Sequence, residues 1–400
     1  MKLKYIVSIV ICLFAVTVIF RQDTLLPRRP KNSSFLIGFK IYPQQHEFQQ
    51  IYKDSFRPFL IDIQQIGCNA VFFPVYEDQT AFYHSQILPY SNDLAISNLV
   101  DELHKSRIAF GIICPVFLEP ARIQDRPDLI PIDQNGTDDY TNWQKMVCPS
   151  DSAFRKQRLQ LIAEIVRKFH PDYLNLDFVR YPCTWEEIRL DAAPESVRNF
   201  CYCPRCLDQF QKYIGNSIPS DSLAVRSKSK WIDQNYSTEW VAFKTDLIAD
   251  FVHQASYLAK SISPDIHIII HTLPWLPDLF GNGILSIVGQ DMQKMAAGDI
   301  SFSPMLYHDI LGVEPQYIRK YLASYSSTNY RLLPSIQISS LGNLDTLTVS
   351  EFASALEMAA APPSRGIILF HWSSLSETHH PSAQTKRQII ADFIRTANSH

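Results

Sequence analysis

The sequence is poor in glycine and shows no compositionally biased tract. It has 12 glycines among 400 residues, against 25 prolines. Collagen-like, coiled-coil and disordered chains each carry a strong bias that is missing here. With 46% hydrophobic and 19% charged residues, the composition is instead that of a globular protein.

The chain also lacks an excess of positive charge. Its 37 basic and 40 acidic side chains give a formal net charge of -3. A protein that binds nucleic acid needs a broad basic surface to neutralise phosphates. The charge balance therefore argues against nucleic acid as a principal partner, and no segment of the sequence indicates a protein partner.

An apolar run lies at the N-terminus. Lys2 and Lys4 precede an uncharged segment, residues 5–20, which Arg21 closes. Its length lies between that of a signal-peptide core and that of a membrane helix, and no small-x-small cleavage triplet follows it. We expect residues 1–22 to be a membrane anchor rather than a cleaved signal peptide, and residues 23–33 to be a tether. The body, residues 34–400, is then exported to the periplasmic or extracellular side.

The body repeats one pattern, in which a short apolar run is followed by a polar turn and a longer amphipathic stretch. The strand-like runs are residues 35–42, 70–76, 109–117, 173–179, 267–272, 300–307, 331–338 and 366–372. Their continuous apolar character predicts parallel strands that are buried on both faces. Eight alternations of strand and helix predict an α/β fold, a (β/α)8 TIM barrel with an extended fourth βα connection. The alternative, an open doubly wound sheet, lacks its Gly-rich phosphate loop here.

Asp177 is the most informative residue at a strand end. It closes the apolar fourth strand, where an ionised carboxylate needs hydrogen bonds or a cation partner. It could form a structural ion pair with Lys40 or Arg180. We favour a functional carboxylate at the barrel mouth, which acts as nucleophile, general base or transition-state stabiliser, with Arg180 nearby to keep it ionised.

The other strand ends combine polar groups with aromatic rings. This mixture suits a carbohydrate, because the apolar face of a sugar stacks on a ring while its hydroxyls pair with polar groups. The predicted substrate-binding residues are Lys40, Glu77, Arg180, Tyr181, His271, Trp275, Tyr307, His308, Gln337 and Trp372. Hydrolysis of a glycosidic bond needs a second carboxyl group. Asp309, after the sixth strand, is the predicted general acid, with Glu77 as the reserve candidate.

A cysteine pattern occupies the fourth connection. Cys201, Cys203 and Cys206 form a C-x-C-x-x-C cluster, whose three thiolates could share one tetrahedral ion. The fourth ligand is then Cys148 or Cys183. Disulfide bonds are the alternative in an oxidising compartment, but the body holds an odd number of cysteines, so they cannot all pair. We predict a structural zinc site.

Two segments resemble known families. Residues 176–182, Leu-Asp-Phe-Val-Arg-Tyr-Pro, resemble the strand-four motif of glycoside-hydrolase-like (β/α)8 proteins. The C-x-C-x-x-C cluster, together with the Val-Cys-Pro-Ser segment at residues 147–150, is similar to the zinc-binding elements of family 42 β-galactosidases. This second resemblance implies that Cys148 is the fourth ligand.

The sequence departs from family 42 at its catalytic positions. That family uses glutamates at strands four and seven, whereas this chain has Asp177 and then Ser335-Ile336-Gln337-Ile338. β-Galactosidase activity is therefore not implied. Aspartates on strands four and six resemble those of retaining α-glycosidase barrels, which supports Asp177 and Asp309 as the pair.

We expect an exported, membrane-tethered glycoside hydrolase that acts on a poly- or oligosaccharide. A catalytically inactive carbohydrate-binding barrel with a structural zinc site is the alternative. A metal-dependent amidohydrolase is disfavoured, because that chemistry usually uses a His-x-His pair at the first strand, where Gly38, Phe39 and Lys40 stand. An activating metal bound by His271 and His308 would point to it.

Overall fold

The computed structural model describes most of the barrel body. The described residues are 35–52, 55–91, 96–138, 142–219, 224–296, 298–340, 346–376 and 381–397. The predicted anchor and tether lie outside them. Within these ranges, no helix combines the length and the apolar character that a membrane span requires.

Parallel strand segments form one continuous sheet. They are Leu36–Lys40, Ala70–Pro74, Ala109–Pro115, Tyr173–Asp177, His267–Thr272, Ile300–Pro304, Arg331–Leu332, Ser335–Gln337 and Gly366–Phe370. These segments match the eight predicted runs, because Arg331–Leu332 and Ser335–Gln337 are two halves of the seventh. The predicted (β/α)8 barrel is confirmed. A short antiparallel hairpin, Tyr76–Glu77 with Thr80–Ala81, follows the second strand.

The seventh strand closes the barrel although it is interrupted. Its first half pairs with the sixth strand and its second half pairs with the eighth, which in turn pairs with the first. Pro334 lies in the interruption, where its missing N–H removes a ladder donor. Its carbonyl still accepts a hydrogen bond from Ile368 N at 2.9 Å.

Helices surround the strands. The α-helices are His46–Tyr52, Arg57–Ile66, Ile96–Ser106, Pro120–Asp125, Ser152–Phe169, Pro204–Ile214, Val225–Ile262, Gly283–Ser286, Met292–Met295, Gln316–Ser324, Val349–Ala360 and Ala383–Ala397. The 3-10 turns are Pro127–Leu129, Asn142–Gln144, Trp185–Glu187, Pro194–Ser196 and Trp372–Leu375. Local chemistry sets several helix ends. Asp151, for example, accepts a hydrogen bond from Phe154 N and begins Ser152–Phe169, while Gly67, with φ of 85°, ends Arg57–Ile66.

Apolar side chains fill the interior of the barrel. The inward-facing cluster comprises Leu36, Ala70, Phe72, Ala109, Ile113, Ile269, Leu333 and Ile368. Phe72 occupies its centre, since a Cβ added at Gly38 or Gly111 would lie 2.3 or 2.4 Å from its ring. Because this cluster is packed, the barrel has no open channel through it, and the carboxyl ends of the strands are where barrels of this kind place their sites.

A buried ion network fixes the start of the third connection. Glu119, which follows the third strand, accepts hydrogen bonds from Arg158 and from Arg122 Nε, the latter at 2.7 Å. Arg158 also lies over the rings of Phe154 and Tyr76, at 4.9 and 5.2 Å from their centroids. A buried carboxylate with two guanidinium partners in this arrangement supports structure.

Candidate functional site

Asp177 lies at the carboxyl end of the fourth strand, as predicted. Its side chain is 15% exposed, and its Oδ2 is 3.9 Å from Lys40 Nζ on the first strand. Its Oδ1 accepts a 2.8 Å hydrogen bond from Phe178 N. Phe178 has φ of 49°, so the chain leaves the strand abruptly directly after the carboxylate. One oxygen of Asp177 is thus fixed by backbone and the other faces a cation.

The charges around Asp177 keep it ionised. Burial alone would raise its pKa, but His271, Lys40, the Phe178 N–H and Arg180 together lower the pKa below the usual value. His271 itself is neutral at neutral pH, because burial and the charge of Lys40 lower its pKa to about 3 against the effect of Asp177. Lys40 and Arg180 are therefore the cations that hold Asp177 charged under those conditions.

Unpaired polar groups surround the carboxylate. Asn175 lies two residues before Asp177 and so projects from the same face of the strand, while His271 lies two residues after the inward-facing Ile269. Within the described part of the chain, the amide of Asn175, both ring nitrogens of His271 and the hydroxyl of Ser303 are buried without a hydrogen-bond partner. Since such groups are costly to leave unpaired, this arrangement is typical of a site that a polar ligand completes.

An aromatic wall borders the same space. The ring of Tyr307 stacks on Phe370 with 5.2 Å between centroids, and Trp185 lies 6.1 Å from Tyr307. The oxygen of Tyr307 is 3.1 Å from Ser335 Oγ, and Lys40 Nζ lies 5.6 Å from the Phe370 centroid. The wall therefore connects the first, sixth, seventh and eighth strands to the fourth connection.

Glu186 was not among the residues predicted from the sequence, although the charge of Asp177 acts on its carboxyl. It lies on the turn Trp185–Glu187, and its carboxyl is partly buried. Burial raises the pKa of Glu186 and so does the charge of Asp177, with Arg180 opposing both. The charge of Asp177 therefore reaches the carboxyl of Glu186. Two adjacent glutamates in a long connection, Glu186 and Glu187, are a weak sequence signal for a site, because such residues are usually solvated.

The predicted general acid, Asp309, lies beside the seventh strand. Its Oδ2 accepts a hydrogen bond from Gln337 Nε2 at 3.2 Å, and Gln337 also donates to the carbonyl of Ser339 at 3.1 Å. His308 is buried, and both its ring nitrogens lack a partner among the described residues. Burial lowers the pKa of His308, whereas Asp309, Glu351 and Glu314 raise it.

Glu77 is exposed on the short hairpin strand Tyr76–Glu77, after the second barrel strand. It contributes to raising the pKa of Tyr42, whose dominant cause is burial, together with Tyr307 and Asp177. Tyr42 follows the first strand by two residues and lies edge-on to Phe370 at 6.0 Å. Glu77, the reserve candidate for the second carboxyl group, thus lies near Tyr42 on the side of the first strand.

Three predicted substrate-binding residues are placed elsewhere. Trp372 packs between the barrel and its helices, with its ring 5.1 Å from Phe39 and 5.3 Å from Phe59, so it is a core residue rather than a sugar platform. Trp275 is fully buried against Phe280 at 4.7 Å. Tyr181 is also fully buried, where the cysteine cluster influences its hydroxyl. An aromatic residue near a strand end can either line the barrel mouth or pack into the core, and the sequence alone does not distinguish the two.

The four predicted metal-ligating cysteines lie together. The Sγ atoms of Cys148, Cys201, Cys203 and Cys206 are all within 4.8 Å of one another, and all four residues are buried. Cys148 Sγ lies 3.7 Å from Cys203 Sγ and 3.4 Å from Cys206 Sγ. These separations are far beyond a disulfide bond of about 2.05 Å. Cys183 is buried in a different cluster, with Trp185 and Trp275.

The geometry of the cysteine cluster fits a tetrahedral ion. A Zn–S distance of about 2.3 Å places the four sulfurs about 3.8 Å apart, close to the separations observed. Polar groups also face the sulfurs: Ser150 Oγ lies 3.1 Å from Cys148 Sγ, and Ile132 N donates to Cys201 Sγ at 3.4 Å. Four buried thiols leave no open position for substrate, so the cluster suits a structural metal.

Among the described residues, no other set of three or more His, Cys, Asp and Glu side chains is close enough to share an ion. The geometry therefore gives no support to a metal centre on His271 and His308, which the amidohydrolase alternative requires.

Comparisons with known proteins agree on the fold. No family model matches the sequence, and no curated protein is similar to it in sequence. The structure is similar to the PgaB (BpsB) glycoside hydrolase domain from Bordetella bronchiseptica, with a TM-score of 0.64 and 12% identity over 89% of this chain and 99% of that one.

Two β-galactosidases are similar as well. The enzyme from the psychrophilic Marinomonas ef1 has a TM-score of 0.63 and 12% identity, over 90% of this chain and 59% of that one. Gan42B, a GH42 β-galactosidase from G. stearothermophilus, has a TM-score of 0.61 and 14% identity, over 92% of this chain and 57% of that one. The chain thus spans less than two thirds of these β-galactosidases. At these identities the likeness defines the fold, which is the (β/α)8 barrel that these glycoside hydrolases share.

Proposed function

We propose that the protein is a glycoside hydrolase that acts on a poly- or oligosaccharide through carboxyl groups at the barrel mouth. The observation that carries the proposal is Asp177, an ionised and partly exposed carboxylate that faces the unpaired side chains of Asn175, His271 and Ser303. A sugar ring offers the hydroxyls that would pair with these groups. The fold shared with glycoside hydrolases supports the same conclusion.

Asp177 would act on the anomeric carbon or on a water molecule next to it. As a nucleophile it would form a glycosyl-enzyme bond, and as a base it would remove a proton from the attacking water. Its low pKa suits either role at neutral pH, because both need the charged form. Asp309, predicted from the sequence as the general acid, is a candidate for the second carboxyl group.

Hydrolysis of a glycoside panel tests this function. The wild-type protein should cleave at least one member, and Asp177→Asn should abolish turnover. Asp101→Asn, at an exposed position on the helix Ile96–Ser106, is the control and should retain wild-type rates. If the wild-type protein binds oligosaccharides but cleaves none, the function is that of an inactive carbohydrate-binding barrel and the hydrolase proposal is wrong.

We also propose that the cysteine cluster binds zinc and that residues 1–22 anchor the exported barrel to a membrane. The zinc would connect Cys148, ahead of the helix Ser152–Phe169, to the cluster that begins the helix Pro204–Ile214. Membrane fractionation of the full-length chain, compared with a chain that starts at residue 34, tests the anchor. Equal amounts of both proteins in the soluble fraction would contradict it.

A further inference from the structure

We propose that Glu186, on the turn Trp185–Glu187 of the fourth connection, donates the proton to the leaving group while Asp177 acts on the sugar. This inference rests on the proposed hydrolase function. It differs from the sequence-based assignment of the general acid to Asp309.

Aromatic contacts hold the turn at the mouth. Trp185, directly before Glu186, is buried and lies against Tyr307, which stacks on Phe370. Phe370 lies under Lys40, the cation that faces Asp177. This continuous series of contacts runs from the turn to the fourth strand, so the position of Glu186 relative to the reacting centre is fixed by packing.

One oxygen of Glu186 is buried and has no close hydrogen-bond partner. Within the described residues, neither Glu186 Oε2 nor Gln144 Nε2 has a partner at hydrogen-bonding geometry, although the amide of Gln144 is near enough to lower the pKa of the carboxyl. Asp309 Oδ2, by contrast, accepts a hydrogen bond from Gln337 at 3.2 Å. A proton on the Glu186 carboxyl is therefore free to reach a substrate oxygen.

The surroundings of Glu186 favour its protonated form. Burial raises the pKa of its carboxyl, and the charge of Asp177 raises it further. Arg180, at the end of the fourth strand, and the amide of Gln144 act in the opposite direction. Two carboxyl groups whose environments separate their pKa values in this way are typical of an acid and an anionic partner.

A cleft extends from Glu186 to the sixth connection. It has a volume of about 360 Å³ and is lined by Glu186–Asp191 on one side and Ile310–Val313 on the other. Glu186 is part of the wall of this cleft, and the charge of Asp177 acts on the same carboxyl. The cleft therefore offers a place for the leaving-group portion of the substrate, with the sugar that reacts on the side of Asp177.

The proposed step is balanced. As the bond between the anomeric carbon and the glycosidic oxygen breaks, the Glu186 carboxyl gives its proton to that oxygen, and the alcohol leaves. The anomeric carbon bonds either to Asp177 or to a water molecule that Asp177 deprotonates. In the first route, the Glu186 carboxylate then takes a proton from the water that releases the sugar, and one water is consumed in total.

Substrates with different leaving groups test the assignment. We would measure kcat/KM of the wild-type protein and of Glu186→Gln with an alkyl glycoside and with the 2,4-dinitrophenyl glycoside of the same sugar. Dinitrophenolate leaves without a proton. The variant should therefore lose about 10²- to 10⁴-fold on the first substrate and less than about tenfold on the second. Its pH profile on the alkyl glycoside should also lose the fall on the basic side.

Two variants serve as controls. Glu195→Gln, exposed in the same connection, should leave both rates unchanged. Asp309→Asn should lower kcat/KM on both substrates by the same factor, or on neither. An equal loss on both substrates by Glu186→Gln, or no loss, contradicts the role of Glu186, and a selective loss by Asp309→Asn assigns the proton to Asp309. Failure of the wild-type protein to cleave either substrate or any other glycoside contradicts the hydrolase function itself.

Discussion

Lys40 and Asp177 face each other across the barrel mouth, with the ammonium nitrogen 3.9 Å from the carboxylate oxygen. They come from the first and fourth strands, which are not neighbours in the sheet. Lys40 is almost fully buried, and burial lowers its pKa while Asp177 raises it. Each member of the pair therefore favours the ionised form of the other, and Arg180 and the Phe178 N–H add to the effect on Asp177.

Replacing Lys40 by methionine should raise the pKa of Asp177. The cation favours the ionised carboxylate, so without it the carboxylate takes up a proton at higher pH, and the acidic limb of the pH-rate profile should move upward. Lys105→Met, which removes an exposed lysine paired with Glu102, is the control and should not move the limb. A limb at the wild-type position in Lys40→Met would show that the ion pair does not set the charge of Asp177.

The same pKa shift predicts a pH dependence of folding. The pKa of Asp177 is lower in the folded protein than its ordinary value of about 3.9, so its ionised form stabilises the fold above that pH. This contribution should be lost as the pH falls through the folded-state pKa. The free energy of unfolding, measured by urea titration between pH 6 and pH 3, should decline less steeply in Asp177→Asn than in the wild-type protein.

Metal content should depend on Cys148 and not on Cys183. We expect roughly one zinc per chain in the purified protein and a large loss of zinc in Cys148→Ser, because three thiolates bind the ion less tightly than four. Cys183→Ser should keep the wild-type zinc content, since that thiol lies in another cluster. Elemental analysis measures both, and a metal-free wild-type protein would count against the site.

Trp372 should contribute to stability. Its ring packs against Phe39 and Phe59, and its Nε1 donates to Tyr52 Oη at 3.1 Å. Trp372→Ala should lower the free energy of unfolding by about 3–5 kcal/mol. Trp143→Ala, at a residue that is 52% exposed, is the matched control and should change it little. Weaker oligosaccharide binding by Trp372→Ala at unchanged stability would restore the sugar-platform role predicted from the sequence.

The buried network of Glu119 should be equally important for folding. Arg158→Met removes one of the two guanidinium partners of a carboxylate that is almost fully buried. Breaking a buried ion pair in this way should cost about 3 kcal/mol or more. The exposed pair of Arg189 and Asp191 provides the control, because Arg189→Met should have no measurable effect on chemical denaturation.

The barrel was predictable because its strands have a simple signature. Strands buried on both faces read as continuous apolar runs, and the eight runs of the sequence match the strands observed. The interruption at Pro334 was not foreseen, although a proline inside a strand-like run marks a position without a ladder N–H. Asp177 was predictable for the same reason as the strands: a charge at the end of an apolar run is conspicuous.

The environment of Asp177 was harder to predict. Strand ends can be located in the sequence, and Lys40, His271 and Tyr307 do lie near the carboxylate in the structure. Glu186 comes from the long connection between the strand Tyr173–Asp177 and the helix Val225–Ile262, where Trp185 packs against Tyr307. Trp275 was predicted to bind substrate, but it is buried against Phe280. An aromatic residue beside a strand end can pack into a core as readily as it can line a cleft.

A zinc ion at the proposed site would link the cysteine cluster to the activity of the barrel mouth. Cys148 and Cys206 belong to different connections, and the second of these also carries Glu186. If zinc holds the two connections together as proposed, loss of the ion would free the connection that carries Glu186, the proposed proton donor, while Asp177 would stay in place at the end of its strand. The fraction of active molecules would then depend on the concentration of zinc, an ion that takes no part in the reaction itself.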